Sequence, residues 1–364
     1  MPDAIRIGTR AIGAGRRVFV IAEAGVNHNG DLKRALELVD AAAEAGADAV
    51  KFQTFFADRL VTHLSPKAKY QCETTDPKES QYDMLKKLEL SADEHRELKR
   101  RAEKHKMVFL STPFDSESAD LLEKLDVPAF KVGSGELTDL PLLDHIARKG
   151  RPMVLSTGMS KMGEVEQAVR TVRKAGLEEI ALLHCVSAYP APAAEVNLRA
   201  IQILRRDFNV PVGYSDHTEG IEVAVLAVAC GACIIEKHLT LDRKLPGPDH
   251  RMSLEPDEFK NMVRNIREPD ALKTMVRGIR DPEKIMGDGV KQPMPSERGT
   301  RAIARKSVVA LVDIKKGCPI TRDMLGVRRP GIGIPPAGLE SLIGCTLRVN
   351  VKEGAVLFAE FLGE

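Results

Sequence analysis

Through about the first 260 residues one pattern recurs. A short run of β-branched and aliphatic residues ends in polar or glycine positions, and a stretch with apolar residues every three or four positions follows. Eight such runs stand out: RVFVIAEAG (17–25), ADAVKFQTF (47–55), MVFLSTPF (107–114), AFKVGSGE (129–136), PMVLSTGM (152–159), IALLHCVSAYP (180–190), PVGYSDH (211–217) and ACIIEKHLT (232–240). Stretches between them, such as LKRALELVDAAAEAGA, SADEHRELKRRAEKH and GEVEQAVRTVRKAG, carry helical spacing. Runs that are apolar throughout, without alternation, suit parallel strands covered on both faces. Eight strand–helix units in about 250 residues is the tally of a (β/α)8 TIM barrel, an α/β fold. A doubly wound open sheet is the rival, but no GxGxxG follows the first run. The segment 54–91 is too long for a simple connection and is expected to cover the barrel mouth.

The pattern changes after 267. Residues 268–304, rich in Pro, Gly and charge, read as helical remnants and linker. From 305 to 364 short strands and turns are expected, in SVVALVDI, KKGCPIT, GCTLRVNV and KEGAVLF. The chain therefore divides into a barrel (1–267), a linker (268–304) and a small β-rich domain (305–364). A module that small has little core of its own and should pack on something larger.

Composition narrows the function. With 43% apolar residues the chain can bury a sizeable core, and 54 Lys plus Arg against 52 Asp plus Glu leave a net charge of only +2. Neither nucleic acid nor an anionic membrane is implied as partner. No apolar run approaches the ~18 residues of a membrane span, and MPDAIRIGTR has no signal-peptide core, so a soluble, cytoplasmic protein is expected. The six cysteines are scattered; Cys230 and Cys233 form one CxxC without the second pair a zinc site needs and read as packing residues.

In such a barrel the chemistry lies at the C-terminal ends of the strands. Here every expected strand ends in polar groups: Glu23 with Asn27, His28 and Asn29; Lys51 and Gln53; Ser111 and Thr112; Lys131, Ser134 and Glu136; Ser156 and Thr157; His184, Ser187 and Tyr189; Ser215, Asp216 and His217; Glu236, Lys237 and His238. Lys51 and Lys131 among Thr112, Ser134, Ser156 and Ser215 would make an anion cradle, with Gly133, Gly135 and Gly158 allowing backbone N–H groups to approach. Lysines that merely reach solvent are the bland alternative. His217 and His238 end neighbouring strands, and two neutral imidazoles suit a divalent cation, manganese before magnesium; with only two ligands visible, hydrogen bonding to a substrate is the reading that spacing alone favours. Glu136 and Glu23 are candidate acid/base groups or ion-pair partners of the lysines. His28 sits in a turn-like NHNG, and His184 reads as a packed core histidine. The stiff loop LPGPDHRMSL presents Asp249 and His250.

The motifs IAEAGVNHNGD, AVKFQTF, STPFD, KVGSGE, LSTGM, LLHCVSAYPAP, GYSDHT, EKHLTLDRKLPGPDH and RRPGIGI occur in this order along the chain. In them the sequence resembles the N-acetylneuraminate (sialic acid) synthase family over nearly its whole length, including a C-terminal SAF (antifreeze-like) domain. The resemblance implies a transferase that condenses phosphoenolpyruvate with an open-chain N-acetylated amino sugar, N-acetylmannosamine first, to give a nine-carbon 2-keto acid and phosphate. A legionaminate- or pseudaminate-type synthase using a diacetamido-6-deoxy hexose is the close alternative. It further implies a divalent metal (Mn2+ or Mg2+) on His217 and His238. Phosphoenolpyruvate would lie against Lys51, Thr112, Lys131, Ser134, Ser156 and Ser215. The sugar would meet Glu23, Gln53, Glu136, Tyr189 and Asp249, with Glu136 moving protons. Arg329, in RRPG, would reach across a domain-swapped homodimer to the sugar's N-acetyl group.

Two positions depart from the family pattern: Ser187 stands where the sialic acid enzymes commonly have asparagine, and Arg305 where some members carry an aromatic residue. Two rival readings remain. A Schiff-base aldolase would use Lys51 or Lys131 as the amine nucleophile. A carbohydrate- or ice-binding protein would use the barrel as a mere scaffold.

Overall fold

In the computed structural model, which describes residues 4–363, twelve strands form three sheets. Met1 to Asp3 and Glu364, the outer ends of the expected barrel and small domain, lie outside the described residues. In chain order the strands are β1 (Ala4–Ile7), β2 (Arg10–Gly13), β3 (Phe19–Gly25), β4 (Ala49–Thr54), β5 (Val108–Pro113), β6 (Phe130–Val132), β7 (Met153–Ser156), β8 (Ile180–Cys185), β9 (Val212–Asp216), β10 (Ile234–His238), β11 (Ser307–Ala310) and β12 (Leu325–Arg328). Strands β3 to β10 are the eight runs expected from the sequence. They pair in parallel in the order β5-β4-β3-β10-β9-β8-β7-β6, with β5 and β6 side by side to close the ring. The fold is a (β/α)8 barrel followed by a small β-rich domain.

The helices around it follow from cap and stripe. Leu32–Glu44 begins at Asp31, whose carboxylate accepts from the N–H groups of Lys33 and Arg34, and it buries Ala35, Leu38, Val39 and Ala42 against the sheet. Ala92–Lys104 begins at a Ser91–Glu94 capping box. Among the described residues no helix is long and apolar enough to cross a membrane.

The β1–β2 hairpin was not expected from the sequence. Its Ile5, Ile7 and Ile12 pack against the lower inward side chains of the barrel, including Phe19, Ile21, Ala49, Leu110, Ala181 and Ile234. The hairpin thus stoppers the end of the barrel opposite the mouth. At the mouth, 54–91 forms three short helices, Ala57–Leu60, Lys69–Thr74 and Gln81–Lys86, around an apolar cluster of Val26, Phe55, Leu60, Met84, Leu85 and Phe114.

Residues 268–304 contain the helices Pro269–Gly278, which packs on the barrel's outer helices, Pro282–Met286 and Arg298–Ala304. The small domain has its own core of Val308, Ile314, Ile320, Leu325, Leu339, Leu347 and Leu357. Its strands differ from expectation. The regular partner of β11 is β12, in a segment not expected to be a strand, whereas KKGCPIT, GCTLRVNV and KEGAVLF contribute single bridges such as Ile314–Val351 and Pro319–Thr346. Proline and closely spaced turns leave those stretches too few consecutive ladder positions.

Candidate active site

Successive side chains on a strand point to opposite faces, and that parity builds the site. Going up the barrel interior, apolar residues such as Ile21, Ala49, Leu110, Ala129, Val154 and Ile234 give way to Glu23, Lys51, Thr112, Lys131, Ser156, Ser215 and Glu236. Two cations and two carboxylates therefore meet on one floor. Lys51 Nζ lies 2.6 Å from Glu23 Oε2, 3.0 Å from Thr112 Oγ1 and 3.7 Å from Glu236 Oε2. Lys131 Nζ donates to Ser156 Oγ at 2.8 Å and lies 3.5 Å from Glu236 Oε1, which also accepts from Ser215 Oγ at 2.9 Å.

Glu236 was noted at its strand end without a role, and it is the hub of this floor. Parity places it inside the barrel, because Ile234, Glu236 and His238 face inward together, and its contacts to Lys51, Lys131 and Ser215 make it the hub. Burial pushes its carboxyl up, but Lys131 and Lys51 outweigh burial and hold it below the usual range. Burial raises Glu23, with Glu236 adding to the rise against the pull of Lys51. Burial depresses Lys131, whereas at Lys51 the two carboxylates overcome burial and raise it. Each ammonium keeps donor capacity for an incoming anion, since the contacts to Glu236 are long.

Above the floor stand the imidazoles. The rings of His217 and His238 are 5.6 Å apart, and Tyr189 packs 4.4 Å from the first. Burial lowers His217 to about 4 and His238 well below its ordinary value, so both are neutral at pH 7. His217 Nδ1 is engaged with the Val186 carbonyl at 2.8 Å, which fixes Nδ1 as the donor and leaves Nε2 a free lone pair. His238 Nδ1 is buried without a hydrogen-bond partner, 3.9 Å from Asp249 Oδ2. Burial lifts Asp249 to about 7, with Glu23 adding to it. Two neutral, orphaned imidazole nitrogens beside carboxylates are a donor set that fits a divalent cation with open positions. Among the described residues no three-ligand protein cage surrounds it.

The remaining wall comes from Glu136 and Arg329. Arg329 Nη2 lies 3.3 Å from Glu136 Oε1, its guanidinium stacks on Phe114, and its backbone is held by Leu60, Thr62 and Ser65 of the mouth segment. The resemblance implied that this arginine crosses to a partner; here it meets the barrel of its own chain. Ser134 Oγ accepts from Gly158 N–H at 3.0 Å, and Gln53 donates to Glu23 at 3.1 Å.

All the residues singled out for substrate, metal or catalysis line one cavity of about 150 Å³: Glu23, Lys51, Gln53, Thr112, Lys131, Ser134, Glu136, Ser156, Tyr189, Ser215, His217, His238, Asp249 and Arg329. Other strand-end groups turn away. His184 Nε2 donates to the Val196 carbonyl at 2.7 Å on the outer face of β8, and Lys237 forms a fully buried ion pair with Asp216 at 2.7 Å. His28 Nδ1 accepts from Gly30 N–H within its turn. His250 bonds Thr240, and Cys233 is buried without a metal partner set.

This architecture matches a known pattern: residues 38–269 fit the NeuB family, and residues 305–362 fit the SAF domain. The chain belongs to the NeuB family. It is similar to the N,N'-diacetyllegionaminic acid synthase of Legionella pneumophila, 45% identical over 98% of this chain and 97% of that protein. It is also similar to the human N-acetylneuraminate-9-phosphate synthase, 37% identical over 97% and 95%. The crystal structure of the spore coat polysaccharide biosynthesis protein SpsE from Bacillus subtilis superposes with a TM-score of 0.84 at 38% identity, over 99% of both chains. As a NeuB-family protein with this constellation, the chain is an enzyme.

Proposed function

We propose that this enzyme condenses phosphoenolpyruvate with an open-chain N-acetylated amino sugar and water, giving a nine-carbon 2-keto sugar acid and phosphate. The observation that carries the reading is the convergence of two buried lysines, four hydroxyls and two neutral imidazoles on one cavity. Lys51 and Lys131, with Thr112, Ser134, Ser156 and Ser215, supply donors for the carboxylate and phosphate of phosphoenolpyruvate. Carbon 3 of the enol bonds to the sugar's aldehyde carbon, whose oxygen takes up a proton. Water adds at carbon 2, the carbon–oxygen bond to phosphorus breaks, and phosphate leaves while the lysines offset its charge. His217 and His238 would hold a divalent cation, manganese or magnesium, whose chemistry there is polarisation of an aldehyde oxygen. Glu136, fixed by Arg329 and with its Oε2 unpartnered, is the candidate for moving the protons.

The acceptor is read from the apolar part of the cavity wall. Val26, Met84, Leu85 and Phe114 give the upper wall an apolar face that suits a terminal methyl. Together with the higher identity to the legionaminic acid synthase, this apolar face favours a diacetamido-6-deoxy hexose over N-acetylmannosamine, the acceptor expected first from the sequence.

The test is phosphate release from phosphoenolpyruvate with N-acetylmannosamine, its 6-phosphate and the diacetamido-6-deoxy hexose, the product identified by mass spectrometry. Release that needs both substrates, is fastest with the deoxy sugar and stops on chelation is expected. Burial also depresses Lys131, as an amine nucleophile requires. A borohydride-trapped lysine adduct together with activity that survives chelation would establish the Schiff-base aldolase instead.

A further inference from the structure

One carboxylate near the cradle takes no part in the chemistry above. Glu297 lies in the segment leading to the small domain and is completely buried. Its Oε1 accepts from the backbone N–H groups of both Met159 and Ser187 at 2.7 Å, and its Oε2 accepts from Met294 N–H at 2.7 Å. Burying a carboxylate is costly, and here short charge-assisted bonds to main-chain donors offset that cost.

Two of those donors belong to the cavity wall, just beyond the ends of β7 and β8. Met159 has φ +58°, a left-handed conformation that a side chain other than glycine adopts only when its surroundings impose it. The imposing groups come from one segment: Glu297 holds its N–H and Arg305 holds its carbonyl at 2.9 Å. Next to it Gly158 donates to Ser134 Oγ, and there is no slack, because a methyl at Gly158 would meet Ser187 Oγ at 2.2 Å and Ser134 Oγ at 2.7 Å. The placement of Ser134, Gly158 and Ser187 beside Lys131 thus depends on the backbone that Glu297 ties down.

We propose that Glu297 is a positioning residue for the phosphoenolpyruvate half of the site: by fastening Met159 and Ser187 to the small-domain connection, it makes a competent anion cradle conditional on that connection being seated. The inference rests on the function proposed above, and a binding measurement without acceptor separates the two. Phosphoenolpyruvate is titrated calorimetrically into the full-length protein, wild type, Glu297→Asp and Glu297→Gln, with folding checked by circular dichroism. Aspartate keeps the charge but is one methylene too short to span both N–H groups; glutamine keeps the reach and one accepting oxygen. Loss of reach should raise Kd about tenfold or more, as expected when binding groups shift by a fraction of an ångström to an ångström, and glutamine should raise it less. The KM for the amino sugar should move less than the KM for phosphoenolpyruvate. A folded Glu297→Asp protein with wild-type Kd overturns the positioning role. A wild-type protein that does not bind phosphoenolpyruvate overturns the functional reading instead.

Discussion

Glu236 and Lys237 are chain neighbours on β10 with opposite fates. Glu236 points into the barrel and joins Lys51 to Lys131, while Lys237 points outward to Asp216 and holds the barrel wall. Removing the charge of Glu236 leaves Lys131 buried without its carboxylate, so Glu236→Gln should cost about 3–5 kcal/mol of stability and nearly all turnover. Denaturant melts and phosphate release read the two effects separately; a variant with wild-type turnover removes Glu236 from the site. Lys131→Ala and His217→Ala are each expected to abolish turnover in a protein that remains folded by circular dichroism. The structural histidines make a pH prediction. Burial lowers His28 and His184 to about 3. Below about pH 6.5 the unfolded chain binds protons that the folded chain refuses, so stability is full above that value and falls as pH drops towards 3. By pH 5 the loss is about 2 kcal/mol per histidine, and thermal melts from pH 7 to pH 5 should show the decline, reduced in His184→Gln.

At the scale of elements, the barrel strands were legible because each is a continuous apolar run between turn signals. The β1–β2 hairpin was not, because its two strands have only four residues each and their pattern gains meaning from the barrel end they stopper. Ile7→Ala removes side-chain volume from that fully buried plug and should cost about 2–5 kcal/mol while leaving KM for both substrates unchanged. Equilibrium unfolding and steady-state kinetics on the same preparation check both halves of the expectation. The mouth segment 54–91 was foreseen as a cover from its length alone. That its residues Leu60, Thr62 and Ser65 would hold the backbone of Arg329 depended on a contact more than 260 positions away in the chain.

At the scale of the whole molecule, the small domain completes the mouth. Arg329 meets Glu136, Lys306 lies 3.1 Å from Asp139, and Arg305 pairs with Glu164. A homodimer that exchanges this domain, as the resemblance implies, would make the same contacts between chains. Mixing Arg329→Ala with His217→Ala subunits tests it: exchange rebuilds one intact site per mixed dimer and should restore turnover, whereas no recovery means that each chain closes on itself.

Local pattern by itself determined the eight strands, the helices between them and the set of polar groups at the strand ends, because periodicity and burial on both faces are written in neighbouring residues. Family-specific motifs determined the family to which the chain belongs. Tertiary structure alone decided the plug of β1 and β2, the pairing of β11 with β12, the role of Glu236 as hub and the attachment of Glu297 to Met159 and Ser187. Each of these is an interaction between distant segments, whose partner, distance and shielding from water exist only after the chain has closed around them.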